Sequence, residues 1–142
     1  MERHPQTFTK AERITSKLLV DRLFEGGGAS FVAFPFRIVY MVIPRGEVPA
    51  SILISVPKKR FHHAVDRNHM KRQVREAYRR QKHQLWDTAD RLDVSVAIAF
   101  ISLAQQNQSS AQVSKSINKA LRIITAKINE KAAEATTAEA TN

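Results

Sequence analysis

Apolar residues recur along this chain with two different periods, and the changes of period mark its elements. Between Thr15 and Phe24, Leu19 and Leu23 repeat at i, i+4, and Val20 and Phe24 take the same step beside them. That spacing predicts a short helix, which Gly26, Gly27 and Gly28 stop. From Phe31 to Ile43 the pattern changes to alternation, with Phe36, Ile38 and Tyr40 on one face and Arg37, Val39 and Met41 on the other. A period of two predicts a strand. Pro44, Arg45 and Gly46 read as a turn. Ala50 to Val56 is a second strand with Ile52, Ile54 and Val56 in line, and the short connection predicts an antiparallel hairpin.

Pro57 ends that strand, and a basic loop follows it. Met70, Val74 and Ala77 then predict a helix from about Arg67 to Leu85, with Asp66 as its N-cap. Asp93 to Ile101 is apolar at nearly every position, which predicts a strand buried on both faces. Gln105 to Ser110 is a polar loop. Val113, Ile117, Leu121, Ile124 and Ile128 mark an amphipathic helix. From Ala132 onward the apolar pattern is gone, so residues 132–142 are expected to form a disordered tail behind a single domain over 1–131. Helices and strands in this order make an α+β domain.

Charge changes this picture. The 142 residues carry 23 basic and 13 acidic side chains, for a net charge of +10. That excess points to an anionic partner, nucleic acid before an acidic membrane surface. No segment has the roughly 18 apolar residues of a membrane span, and the opening residues lack a secretory apolar core, so a cytoplasmic location is expected. With no cysteine there is no disulfide, thiolate chemistry or cysteine zinc site.

The excess is concentrated. Lys58 to Lys82 hold ten basic and two acidic side chains, a net +8 of the whole chain's +10. On a helical wheel of about 100° per residue with Arg67 at the origin, Lys71 falls at about 40°, Lys82 at about 60°, Arg75 at about 80°, Arg79 at about 120° and Arg72 at about 140°. Asn68 lies among them, while Met70, Val74 and Ala77 gather on the adjoining side. Glu76 falls behind the stripe, away from it. Like charges at this spacing repel unless an anion neutralises them, and a phosphate backbone supplies anions at regular intervals. His62, His63, His69 and His83 match no zinc spacing and sit among cations. The carboxylates are scattered singly, which argues against a nuclease that holds its own metal ions.

The stretch HAVDRNHMKRQVREAYR resembles the signature of the protein subunit of bacterial ribonuclease P. The family's Arg-Asn, Lys-Arg and Arg-Glu pairs stand here in register as Arg67-Asn68, Lys71-Arg72 and Arg75-Glu76. ILISVPKKRFHHAV resembles the strand, paired lysines and loop before it, and FTKAERITSKLLVDRLFEGG the opening helix. The resemblance covers roughly residues 8 to 130. It implies a mixed sheet of about four strands packed with helices, and a left-handed β-α-β crossover around the basic helix. It implies that a catalytic RNA subunit removes the 5′ leader of precursor tRNA using magnesium held mainly by that RNA, with neither DNA nor membrane as partner. The protein binds this RNA through Lys58, Lys59, Arg60, Arg67, Asn68, Lys71, Arg72, Arg75 and Arg79. The leader lies in a cleft between the basic helix and the sheet, lined here by Phe24, Phe36 and Tyr40. Asn68 stands at a position associated with a bound metal or a fixed RNA contact. Val20 departs from the family where many members carry an aromatic ring. The rival reading is a basic RNA-binding protein of the ribosomal type without a role in cleavage.

Overall fold

The computed structural model describes residues 8–141, and the side chains of residues 8–135. Its elements follow in the order α1 (Lys17–Arg22), β1 (Ala29–Ala33), β2 (Phe36–Pro44), β3 (Ala50–Ser55), α2 (Ala64–Gln81), α3 (His83–Leu92), β4 (Val94–Ser102) and α4 (Ser110–Thr141). A 3-10 turn at Lys10–Glu12 precedes α1, and a π-helical turn at Leu23–Gly27 follows it. The first seven residues and Asn142, counted above with the domain and its tail, lie outside the described residues.

The strands form one sheet in the order β1-β2-β4-β3. β1 and β2 are antiparallel, β2 and β4 are antiparallel, and β3 and β4 are parallel, so the sheet is mixed. Two sequence expectations are corrected here. The apolar run from Phe31 to Ile43 is two strands, because Pro35 has no N–H to carry a ladder onward and the chain folds back so that Ala33 faces Phe36. β2 and β3 are not a hairpin, because β4 lies between them. Val96 to Phe100 are fully buried, because the later helices cover one face of β4 and the segment around α1 covers the other.

β3 reaches its parallel neighbour β4 through α2 and α3, and side-chain direction fixes the hand of this crossover. Ile52 points its side chain into the helix-covered core, while its carbonyl accepts from the Ile14 amide on the edge away from β4. For an L-residue viewed from the helix side with the strand running upward, the backbone groups then point right and β4 lies left. A crossover in front of the sheet that steps leftward is left-handed, against the common rule.

The helices divide the sheet's faces. On one, Phe36, Ile38, Ile52, Val96, Ile98 and Phe100 pack with Met70, Val74 and Tyr78 of α2, Leu85 and Trp86 of α3, and Val113, Ile117 and Ile124 of α4. On the other, Val39, Ala97 and Ala99 meet Ile14 and Leu23, with Leu19, Val20, Met41, Leu53 and Ile101 around them. Gly26 holds φ at +93°, which ends the α1 turn, and Gly28 passes so close to Val39 and Tyr40 that a Cβ would stand 2.9 Å from a Val39 methyl.

The basic helix starts earlier and ends earlier than its periodicity predicts. His63 is its N-cap and Asp66 sits in its first turn, where the carboxylate accepts from the Asn107 amide at 3.2 Å. The helix breaks at Lys82, and α3 follows it directly. At the C-terminus, where the lost apolar pattern predicts a disordered tail, the helical backbone of α4 continues to Thr141. Ala and Glu rank high in helix propensity and adopt the helix without an apolar stripe.

Candidate nucleic-acid interface

The sequence of α2 sorts its side chains by burial. Met70, Val74, Ala77 and Tyr78 are buried against the core. Asn68 and Arg72 are exposed, and Lys71, Arg75 and Arg79 are half-buried beside them. Among the described residues Lys71, Arg72 and Arg75 make no ion pair. The Arg75 guanidinium is held below its usual range, first by partial burial and then by the charges of Arg13 and Arg72. This patch carries positive charge that no acidic side chain among the described residues compensates.

Other predicted site residues have structural partners. Arg67 donates through Nη1 to the carbonyls of Phe61 at 2.9 Å and His62 at 3.0 Å. Arg60 donates to the Leu103 carbonyl at 2.9 Å. These bonds tie the basic loop to α2 and to the end of β4. A guanidinium has five N–H donors, so both residues keep others beyond these bonds. Lys58 and Lys59 are exposed on the turn after β3.

Three placements differ from the sequence reading. Glu76 is not set apart from the stripe, since it pairs with Arg79 at 2.6 Å and with Arg80 at 2.9 Å. At about 180° it lies between them, so both long side chains reach it. Lys82 is not on the stripe, because the break in the helix turns it inward, 1% exposed, onto Glu12 and 4.1 Å above the Trp86 ring. The cleft is also corrected. Phe36 is 0% exposed and meets Phe100 edge-on inside the helix-covered core. Tyr40 points to that same face, half-buried against Phe31, and desolvation raises its phenol pKa. Neither can share a site with Phe24.

Phe24 itself is 47% exposed and follows α1, which packs on the opposite face of the sheet. The open surface is therefore not between α2 and the sheet. It is the face carrying Val32, 58% exposed, with Arg37 opposite it on β2 and half-buried Ile101 beyond. Val20 is half-buried at the edge of this face. The alternation along β2 had already put Arg37 with Val39 and Met41, but only the seat of α1 tells which face stays open.

No group of three His, Asp or Glu able to hold a metal occurs among the described residues, and no described helix is long and apolar enough to cross a membrane.

An α+β domain with an uncompensated cationic helix face, an open sheet face and an exposed aromatic ring after α1 is an RNA-binding protein in class. The family model for ribonuclease P matches residues 8–125. The ribonuclease P protein component of Porphyromonas gingivalis strain W83 is 38% identical over 120 residues, covering 82% of this chain and 87% of its own. That of Chlorobaculum tepidum is 32% identical over 111 residues, covering 73% and 72%. The Staphylococcus aureus RNase P protein superposes with a TM-score of 0.60 at 25% identity, over 81% of this chain and 96% of that one. The Thermotoga maritima RNase P protein shares the fold, with a TM-score of 0.58 at 23% identity over 78% and 94%. The chain belongs to the ribonuclease P protein family, the protein component of an endoribonuclease of tRNA 5′ processing.

Proposed function

We propose that this chain binds the catalytic RNA of ribonuclease P and the 5′ leader of precursor tRNA, and that the RNA carries out the hydrolysis. The observation that carries this reading is the uncompensated charge of Lys71, Arg72 and Arg75 on the outer side of α2. Phosphates neutralise it and release counterions, so the repulsion borne by the free protein is relieved on assembly. Phe24, exposed in the turn after α1, offers a ring to an unpaired leader base. Magnesium belongs to the RNA in this reading. Asn68 supplies one neutral amide between Arg67 and Lys71, a donor set that does not fit a metal held by the protein. Such a complex works in the cytoplasm.

The test is reconstitution with transcribed catalytic RNA, scoring leader removal at low magnesium. The wild-type chain is expected to raise the rate, and the triple variant Lys71→Ala, Arg72→Ala, Arg75→Ala to lose most of that gain. Protein freed of all RNA is expected to leave precursor tRNA intact. Metal-dependent cleavage by the protein alone would overturn the assignment of chemistry to the RNA, and equal stimulation by the triple variant would overturn the role of the stripe.

A further inference from the structure

We propose that Arg13 is a phosphate ligand, so that the segment before α1 joins Arg72 and Arg75 in one three-arginine site for the RNA backbone. This rests on the RNA-binding reading above and extends it to a residue about sixty positions away from the basic helix in sequence.

The segment is tied down on both sides of Arg13. On one side the Glu12 carboxylate is buried onto the Lys82 ammonium at the end of α2 and also accepts from the Thr9 amide. On the other the Ile14 amide donates to the Ile52 carbonyl at 2.9 Å, extending the sheet beyond β3. The Arg13 guanidinium carbon stands 5.5 Å from the centre of the Phe8 ring, and Phe8 meets Tyr78 of α2 edge-on at 6.1 Å. Tyr78 lies three residues after Arg75, one turn along α2. Stacking on Phe8 therefore seats the Arg13 charge at the level of Arg75, close enough that the two guanidiniums oppose each other.

A cation placed among cations needs a reason. Some cations of the chain are matched: Arg79 and Arg80 with Glu76, Arg45 with Asp90, Lys82 with Glu12. Arg13, Arg72 and Arg75 have no acidic partner among the described residues. Arg13 and Arg72 are exposed, with Arg75 half-buried between solvent and core. Three guanidinium groups on one surface, with Arg13 and Arg72 both opposing the charge of Arg75, fit a phosphodiester group, which accepts several charge-assisted hydrogen bonds at once.

The experiment measures binding of the full chain to transcribed catalytic RNA across a salt series. Arg13→Gln is expected to lower the slope of log affinity against log salt by about one, and Arg13→Lys to keep it near wild type. Arg75→Gln, run in parallel, reports on the reading beneath: if it lowers the slope and Arg13→Gln does not, the inference fails alone. If neither variant lowers it, both fail. A second measurement needs no folded variant. Phenylglyoxal labelling of wild-type protein, read by mass spectrometry, should find Arg13 protected when the RNA is bound. Equal labelling of Arg13 with and without RNA would overturn the proposal.

Discussion

Lys82 shows how one side chain can change its role when a helix breaks. Its wheel position put it on the stripe, yet it is buried with Glu12 over the Trp86 ring, and Trp86 in turn donates to the Tyr78 hydroxyl at 2.9 Å. Lys82→Met would leave the Glu12 carboxylate buried without its cation, so we expect a loss of about 3–5 kcal/mol in urea unfolding. Adding Glu12→Gln should recover a good part of it, since the stranded charge is then gone; a double variant less stable than Lys82→Met would refute this account. Glu76 makes the opposite case at the surface. Hydrogen bonds from Arg79 above all, then from Arg80, pull its carboxyl down to about 2 from an ordinary 4.5. A folded pKa below the unfolded one stabilises above the unfolded value and is lost as pH falls through the folded one. The melting temperature of the wild type should therefore exceed that of Glu76→Gln near neutrality, and the gap should close between about pH 4.5 and pH 2. High salt should narrow it too, because the pair is exposed. A gap that ignores pH would mean the carboxylate charge is not what matters.

At the scale of elements, the period of the apolar residues was the most legible signal. It placed the helix of Val113, Ile117, Leu121, Ile124 and Ile128, all five buried, and the strand of Val96 to Phe100. It could not say that β4 lies between β2 and β3, because strand order is decided by contacts distant in sequence. Nor could it split β1 from β2, since the apolar run continues across Pro35 and only its parity changes, from Phe31 and Ala33 to Phe36, Ile38 and Tyr40 on the helix-covered face. The cleft failed for a related reason. Alternation divides β2 correctly into two sets, but which set faces α1 depends on where α1 docks. Phe36 went to the core and Phe24 stayed at the surface. This yields a prediction for α1 and its following turn. Phe24→Ala should weaken binding of precursor tRNA by roughly 1–3 kcal/mol while leaving mature tRNA almost unaffected. Phe36→Ala should instead lower stability by about 3–5 kcal/mol, as for a fully buried ring. Equal losses for both tRNAs in a folded Phe24→Ala variant would return Phe24 to a packing role.

At the scale of the molecule, the fold separates two working surfaces. α2 presses its apolar side onto α4 and the core and turns its cations outward, while α1 holds Phe24 on the far side of the sheet. The charge imbalance and the Arg-Asn, Lys-Arg, Arg-Glu register were legible from the start. What the register could not show is which of those cations the protein has already matched: Arg79 is engaged by Glu76, and Arg67 is bonded to its own loop, while Lys71, Arg72 and Arg75 stay uncommitted. In the proposed function the interface is therefore an oriented set of phosphate contacts and not a diffuse positive charge. The most direct test is RNA binding by Lys71→Ala and Arg80→Ala over a salt series, with folding checked by circular dichroism. Lys71 faces out of the stripe, whereas Arg80 lies behind it and is paired with Glu76 at 2.9 Å. The account predicts that Lys71→Ala lowers the slope of log affinity against log salt by about one and that Arg80→Ala leaves it close to wild type. Equal slopes for the two variants would contradict it.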